Sequence, residues 1–365
     1  MVTYRSSSFK KEKGFWVLSL KEKISYDAGY TQGMLFKKAK HPMYTLFTKV
    51  LIIFLIRCIH FIFRSSFRKL HIPKPYKDEL KGLSDATKIP YDVLFFLNFS
   101  FDVFKRNVYC STFNFFNKGK DVLVGRNTDM KRFIGVLALR YEASIIYRMK
   151  VGSSHQLTHV GFPFCIGVLN GYNEKGICVN AHLTLGLRNG NLDSNLYSNI
   201  LILRTVLQEA ETLDEAKQIL RTNRISRAKT ALITSARERA SFVYEAYPRR
   251  YMFVPQTKEH FQGCTMHFQS RKMKRYQFGR QRGSKKRLSF MNKTLKNQAK
   301  LSTQEAITLL RDTSNGLIRE ESGFSITNTG TFQSFIFYPL KDTILISDGK
   351  KLPVSLSGEY KELSF

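Results

Sequence analysis

The chain has 365 residues, 43% of them hydrophobic, with 30 Phe and 17 Tyr, which is ample for a substantial core and excludes a disordered or fibrous chain. The 59 basic residues outnumber the 28 acidic ones and leave a net charge of +31, so an anionic partner is expected, a phosphate-rich membrane surface or a nucleic acid. Five cysteines without regular spacing and without Cys-x-x-Cys exclude a disulfide framework and a zinc site, and reduced thiols are expected.

From Arg5 to Lys13 the chain is polar and basic, with no apolar run directly behind it. No secretory signal is read, and a cytoplasmic or peripherally membrane-associated location is expected. The first hundred or so residues read as mostly helical, beginning with Ser25–Lys40. Tyr44–Phe63 is apolar but contains Lys49, Arg57 and His60, and its longest uninterrupted apolar run, Val50–Ile56, falls short of the roughly 20 residues a membrane span needs. At about 100° per residue, Lys49, Arg57, His60 and Arg64 share one stripe roughly 80° wide. Two arrangements fit that stripe. The helix lies in a membrane interface with its cations toward lipid headgroups, or it is sunk in the protein with one wet edge. Pro73–Asn98 follows, with Pro90 and Asp92 suited to a helix start.

At Cys110 the texture changes to short segments separated by turn signals. Val122–Gly125, Leu137–Tyr141, Gln156–Val160, Phe164–Leu169 and Gly176–Asn180 read as strands, with Asn170 to Gly176 supplying hairpin turn residues. Ser194–Arg221 has helical periodicity, and Thr212 followed by Glu215 is a capping-box pattern. Strands return at Lys229–Ser235 and Ala240–Ala246. A helix is read at Thr303–Asp312, and strands close the chain near Phe332–Tyr338 and Thr343–Ser347. Arg271–Arg287, with nine basic residues in seventeen and no acidic one, reads as a loop. It suits a solvated surface or anionic headgroups better than nucleic acid, because only Tyr276 and Phe278 are available for stacking.

The chemistry concentrates around Cys110. A thiol becomes a useful nucleophile only when a base or a positive charge favours the thiolate. Cutting the Tyr109–Cys110 bond would give Cys110 an α-amine of ordinary pKa about 8, a base within the nucleophile's own residue. A hairpin through Asp121–Val124 then brings Gly125-Arg126-Asn127-Thr128-Asp129 alongside, with Arg126 placing positive charge near sulfur and Asp129 accepting from the ammonium. Cys58, Cys165, Cys178 and Cys264 sit in apolar surroundings and read as structural.

The run Cys110-Ser111-Thr112-Phe113 followed by Gly125-Arg126-Asn127-Thr128-Asp129 resembles the signature of the N-terminal-nucleophile cysteine hydrolases. The branch is that of acyl-CoA:6-aminopenicillanic acid acyltransferase, N-acylethanolamine acid amidase and the choloylglycine hydrolases. Gly29-Tyr30-Thr31-Gln32-Gly33 and the Asn173-Glu174-Lys175-Gly176 turn resemble the same family. The resemblance implies an α+β, four-layer αββα sandwich preceded by a mostly helical pro-region. It divides the chain into residues 1–109 and a catalytic domain 110–365. It implies hydrolysis of linear amides in small N-acyl compounds after self-cleavage before Cys110, with Cys110, Arg126 and Asp129 catalytic and no cofactor or metal. Acyl transfer to an amine through the same acyl-enzyme is the alternative. At the oxyanion position the family carries an asparagine, and here the matching residue is Met266, which cannot donate a hydrogen bond. His267 and Asn180 are the candidate substitutes, and Arg287 the candidate for a downstream active-site arginine. A catalytically impaired basic membrane-binding protein on the same fold is the reading that Met266 favours.

Overall fold

The computed structural model describes residues 1–103, 109–119, 121–186, 196–223, 225–258, 260–317 and 323–365. It is a mixed α+β fold built on two large sheets. Ten strands form the first, which begins at the N-terminus with Val2–Tyr4, Ser7–Glu12 and Phe15–Glu22. The third of these pairs in parallel with Ile145–Val151. From there the sheet runs antiparallel through Leu157–Gly161, Asn170–Asn173, Ile177–Leu183, Lys229–Ser235, Ala240–Tyr247 and Arg250–Pro255. The six-stranded sheet orders Phe261–Thr265, Tyr109–Phe116, Val122–Asp129, Thr331–Tyr338, Thr343–Ser347 and Tyr360–Ser364.

Strand alternation sends side chains to two different cores. Val17, Ile146, Tyr172 and Cys178 of the large sheet meet Val124, Phe335, Phe337 and Ile344 of the small one. The opposite face of the large sheet, with Leu18, Ile177, Val179 and Ala231, packs on Leu35, Leu80, Leu83, Leu203 and Val206 from helices. Phe113, Phe115 and Ile336 of the small sheet pack on Met291, Leu295 and Leu310, again from helices. Each strand near Cys110 therefore has one face between the sheets and one face toward helices, and this alternation decides which side chains can meet the thiol.

The opening of the chain departs from the helical expectation, because its first 22 residues form three strands. In Phe15–Glu22 apolar residues bury on both faces once the parallel partner is present, a pairing that lies more than a hundred residues away. Helices Ser25–Lys38 and Lys74–Thr87 follow and touch at backbone level. A Cβ on Gly29 would lie 1.8 Å from the Glu79 carbonyl oxygen, and one on Gly82 would lie 2.0 Å from that of Tyr26. Where these helices cross, only glycine fits. Buried Arg204, on helix Asn199–Glu209, holds Glu79 through two contacts of 2.9 Å and so ties the early helices to the later chain.

Three further expectations are corrected. Arg132–Arg140 is a helix, so Leu137–Tyr141 is not a strand; a short apolar run does not distinguish the two, and Phe133, Val136 and Leu137 lie exposed at helical spacing. Phe164–Leu169 is buried yet irregular. Asn98 accepts from the Ile166 N–H and donates to the Phe164 carbonyl, and Arg204 donates to the Ile166 carbonyl, so side chains do what a neighbouring strand would. Arg271–Arg287 is not a single loop, since it contains helix Arg271–Lys274 and enters helix Arg282–Lys296. The Thr212 capping box and the helices it separates are as expected, although 194 and 195 lie outside the described residues.

The apolar Tyr44–Phe63 segment is broken into helices Pro42–Phe47 and Val50–Ile62. Ile53 and Ile56 pack on the core and His60 on Phe67 and Phe95, while Arg57, itself exposed, pairs with Asp92 at 2.8 Å and Lys49 and Arg64 stay exposed. The outer face is apolar, with Val50 83%, Leu51 68%, Phe54 61% and Ile62 70% exposed. Among the described residues no helix is long and apolar enough to cross a membrane.

Candidate active site

Cys110 sits at the start of strand Tyr109–Phe116, paired with Thr128, while Thr112 pairs with Arg126. Directly opposed residues share a face, and so do residues two apart. Cys110, Thr112, Arg126 and Thr128 thus form one patch between the sheets, which is why a Cys-x-Thr run opposite an Arg-x-Thr run can build a site from two adjacent strands. Arg126 Nη2 lies 3.3 Å from Cys110 Sγ. Two further donors fix it: Nε donates to Thr128 Oγ1 at 3.0 Å and Nη1 to Thr112 Oγ1 at 3.3 Å. The guanidinium is buried and held in the plane that aims it at sulfur. Burial pushes the Cys110 thiol above its ordinary range, and the Arg126 charge opposes that rise.

Asp129 projects on the other face, at the end of its strand and opposite residue 109. A register shift between Thr331 and Gln333 lets Thr331 Oγ1 donate to Asp129 Oδ1 at 2.6 Å. Oδ2 is buried and makes no hydrogen bond among the described residues, although the Asn328 amide lies near enough to act on the carboxyl. Burial raises its pKa to about 6, against the pull of Arg287. The carboxylate therefore stands near the peptide bond that precedes Cys110, with capacity for one more donor.

The remaining expected residues separate onto the two faces. Arg287, on helix Arg282–Lys296, is buried and donates to the Gly323 carbonyl at 2.6 Å, and its charge acts on Asp129. His267 turns toward the same helix: its Nδ1 lies 2.8 Å from Ser284 Oγ and 3.1 Å from Thr265 Oγ1. Strand Phe261–Thr265 pairs with the Cys110 strand up to Thr265 opposite Ser111. Buried Met266 follows in a bend directly beyond that last pair, next to the Cys110 end of the strand. From the large sheet, Cys178 faces the inter-sheet core, so Asn180 and His182 two and four residues on share that face. Asn180 Nδ2 donates to Cys178 Sγ at 3.4 Å.

Thr112, Thr128, Thr331 and His182 are absent from the sequence-based site. Thr112 and Thr128 carried a usable signal, since period-two alternation places them with Cys110 and Arg126. Thr331 and His182 carried none, because they arrive from strands far along the chain.

Two adjacent strands thus present a thiol against a fixed guanidinium, with a buried carboxylate at the strand end. Residues 116–348 match the family described as Acyl-coenzyme A:6-aminopenicillanic acid acyl-transferase, and the chain belongs to that family. The match contains Arg126, Asp129, Asn180, Met266 and Arg287 and begins six residues after Cys110 (116 − 110). No curated protein matches the chain. Among solved structures it is similar to the Caenorhabditis elegans ortholog of N-acylethanolamine-hydrolyzing acid amidase, at 12% identity and TM-score 0.46, covering 70% of this chain and all of that one. Penicillin V acylase from Agrobacterium tumefaciens is similar at 10% identity and TM-score 0.43, over 70% and 86% of the two chains. A mutant form of conjugated bile acid hydrolase from Clostridium perfringens is similar at 12% identity and TM-score 0.43, over 70% and 97%.

Proposed function

We propose that the chain cuts itself between Tyr109 and Cys110 and then hydrolyses linear amides of small N-acyl compounds through a thioester on Cys110. The observation that carries this reading is the 3.3 Å approach to Cys110 Sγ of an Arg126 held by Thr112 and Thr128. In the cut protein the α-amine of Cys110 takes the thiol proton, and the thiolate attacks the acyl carbonyl. The C–N bond breaks as the α-ammonium returns that proton to the departing amine. Water then attacks the thioester with the α-amine as base, releasing the acid and restoring the thiol. Asp129 holds the ammonium and Arg126 stabilises the thiolate. An acceptor amine in place of water gives acyl transfer, with the same atoms balanced. The three cores are read as an αββα sandwich, with residues 1–109 as pro-region or small subunit. Burial of Cys110 in the intact chain supports a site that opens only after cleavage.

Intact mass and N-terminal sequencing of the purified protein test this directly. Chains of 109 and 256 residues (365 − 109) are expected, and Cys110→Ala should remain whole and inactive. An active enzyme whose Cys110 is still internal would falsify the mechanism.

A second reading concerns where the enzyme works. The exposed apolar face of helix Val50–Ile62 lies in a stretch, Ala28 to Lys77, with ten basic residues and no acidic one. That combination supports docking on an anionic bilayer, with Leu51, Phe54 and Ile62 in the acyl region and exposed Lys49, Arg64 and Arg68 at headgroup level. A second copy of this chain would bring like charges together. Cosedimentation with phosphatidylserine vesicles should fall with salt and be abolished by Leu51→Glu with Phe54→Glu. Equal binding to neutral vesicles at high salt, or none to either, would remove this reading.

A further inference from the structure

Acyl transfer at Cys110 places negative charge on the substrate's carbonyl oxygen, and that oxygen needs a hydrogen-bond donor. The side chains on the inter-sheet face around Cys110 can be taken in turn. Thr112 and Thr128 accept from Arg126 and hold it while its Nη2 faces sulfur, so these three groups are engaged in positioning the thiol's partner. Met266 has no donor. Asn180 donates to Cys178.

His182 remains. It is 1% exposed, neither ring nitrogen makes a well-formed hydrogen bond among the described residues, and the Cys110 backbone is the one hydrogen-bonding group that acts on the ring. A buried imidazole with an unpartnered nitrogen is costly unless a ligand completes it. Position strengthens the case: strand Ile177–Leu183 presents Cys178, Asn180 and His182 toward the small sheet. The ring is influenced by Arg126 and Arg287 and by the backbone of Cys110 itself, so it stands at the nucleophile rather than elsewhere in the core. Burial first, then those two guanidinium charges, keep it neutral throughout the physiological range.

We propose that His182, as a neutral imidazole, donates an N–H to the oxyanion formed during acyl transfer at Cys110. This rests on the reading of Cys110 as the nucleophile. No proton leaves the ring; its hydrogen bond shortens as the carbonyl becomes a single-bonded oxyanion and relaxes when the C–N bond breaks. A neutral imidazole suits the task because it polarises without adding a third positive charge beside Arg126 and Arg287.

Single-turnover release of 7-amino-4-methylcoumarin from its dodecanoyl amide tests the proposal, with the self-cleaved protein in excess. His182→Phe should slow acylation about 100- to 1,000-fold while leaving the pH midpoint of the reaction in place. His182→Gln, which keeps a donor, should lose less and covers the case in which the Phe variant folds poorly. Adding Met266→Asn to either variant should recover at least about tenfold, because it supplies an amide donor from the bend beside the Cys110 strand. A purely structural role would not be rescued that way. Acylation by His182→Phe within about threefold of the parent, or a loss accompanied by a shifted midpoint and no rescue from position 266, would overturn the assignment. A cleaved parent that forms no acyl-enzyme removes the Cys110 reading and this inference together, so the two failures are distinguishable.

Discussion

Asp129→Asn should stabilise the uncut protein at neutral pH while removing its activity. In the intact chain Asp129 has its pKa raised from 3.8 to about 6 by burial. A carboxyl with a raised folded-state pKa holds its proton more tightly folded than unfolded. Stability therefore falls as pH climbs from about 4 to about 6, and above that the charged group carries a constant penalty. The difference of about 2.2 in pKa, at about 1.36 kcal/mol each, comes to about 3 kcal/mol. An asparagine at 129 has no such penalty. The background should be Cys110→Ala, which keeps the chain whole. Urea unfolding of the Cys110→Ala protein with and without Asp129→Asn, at pH 7.5 and pH 4, gives the required numbers. The asparagine variant should gain about 2.4 kcal/mol more at pH 7.5 than at pH 4, where about 0.6 kcal/mol of the penalty is already present. Any fixed cost of turning an amide nitrogen toward Asn328 and Arg287 appears at both pH values and cancels. A gain that is equal at the two pH values would refute the reasoning. In the cleaved enzyme the new α-ammonium neighbours Asp129 and lowers its pKa, so there the pH-dependent part of the gain should shrink.

Arg126→Ala should reduce acylation severely without unfolding the protein, because Thr112 and Thr128 can turn to each other or to water; near-parental single-turnover rates would remove Arg126 from the site. Glu79→Ala leaves the Arg204 guanidinium buried without its carboxylate and should cost about 3–5 kcal/mol, read as a fall in urea midpoint; an unchanged midpoint would show that the pair is solvated. Gly29→Ala forces apart two helices in backbone contact and should cost at least about 1–3 kcal/mol, measured in the same urea titration. After self-cleavage the two chains should stay together in gel filtration, because Phe15–Glu22 pairs within the large sheet and Glu79 holds Arg204; separation of the fragments in native buffer would contradict the shared core.

The sequence by itself determined the elements whose signals are local. The Cys110 and Arg126 strands, the Thr212 capping box, the closing strands and the pairing of thiol with guanidinium all follow from patterns within about twenty residues. Alternation and turn chemistry act at that range. It also carried the Gly29 to Gly33 run, whose reason, a helix crossing that admits no Cβ, became visible only against Gly82 and Glu79. Tertiary structure decided what depends on distant partners. Phe15–Glu22 became a strand because Ile145–Val151 pairs with it. Phe164–Leu169 stayed irregular because Asn98 and Arg204 satisfy its backbone. Helix Val50–Ile62 packs Ile53 and Ile56 on the core and ties exposed Arg57 to Asp92 of a later helix, a pairing that no local pattern encodes. Met266 could be read as a missing donor from the chain alone. Which group stands nearby in its place could not, since His182 reaches Cys110 from the other sheet, and no period along one strand encodes a contact between two sheets.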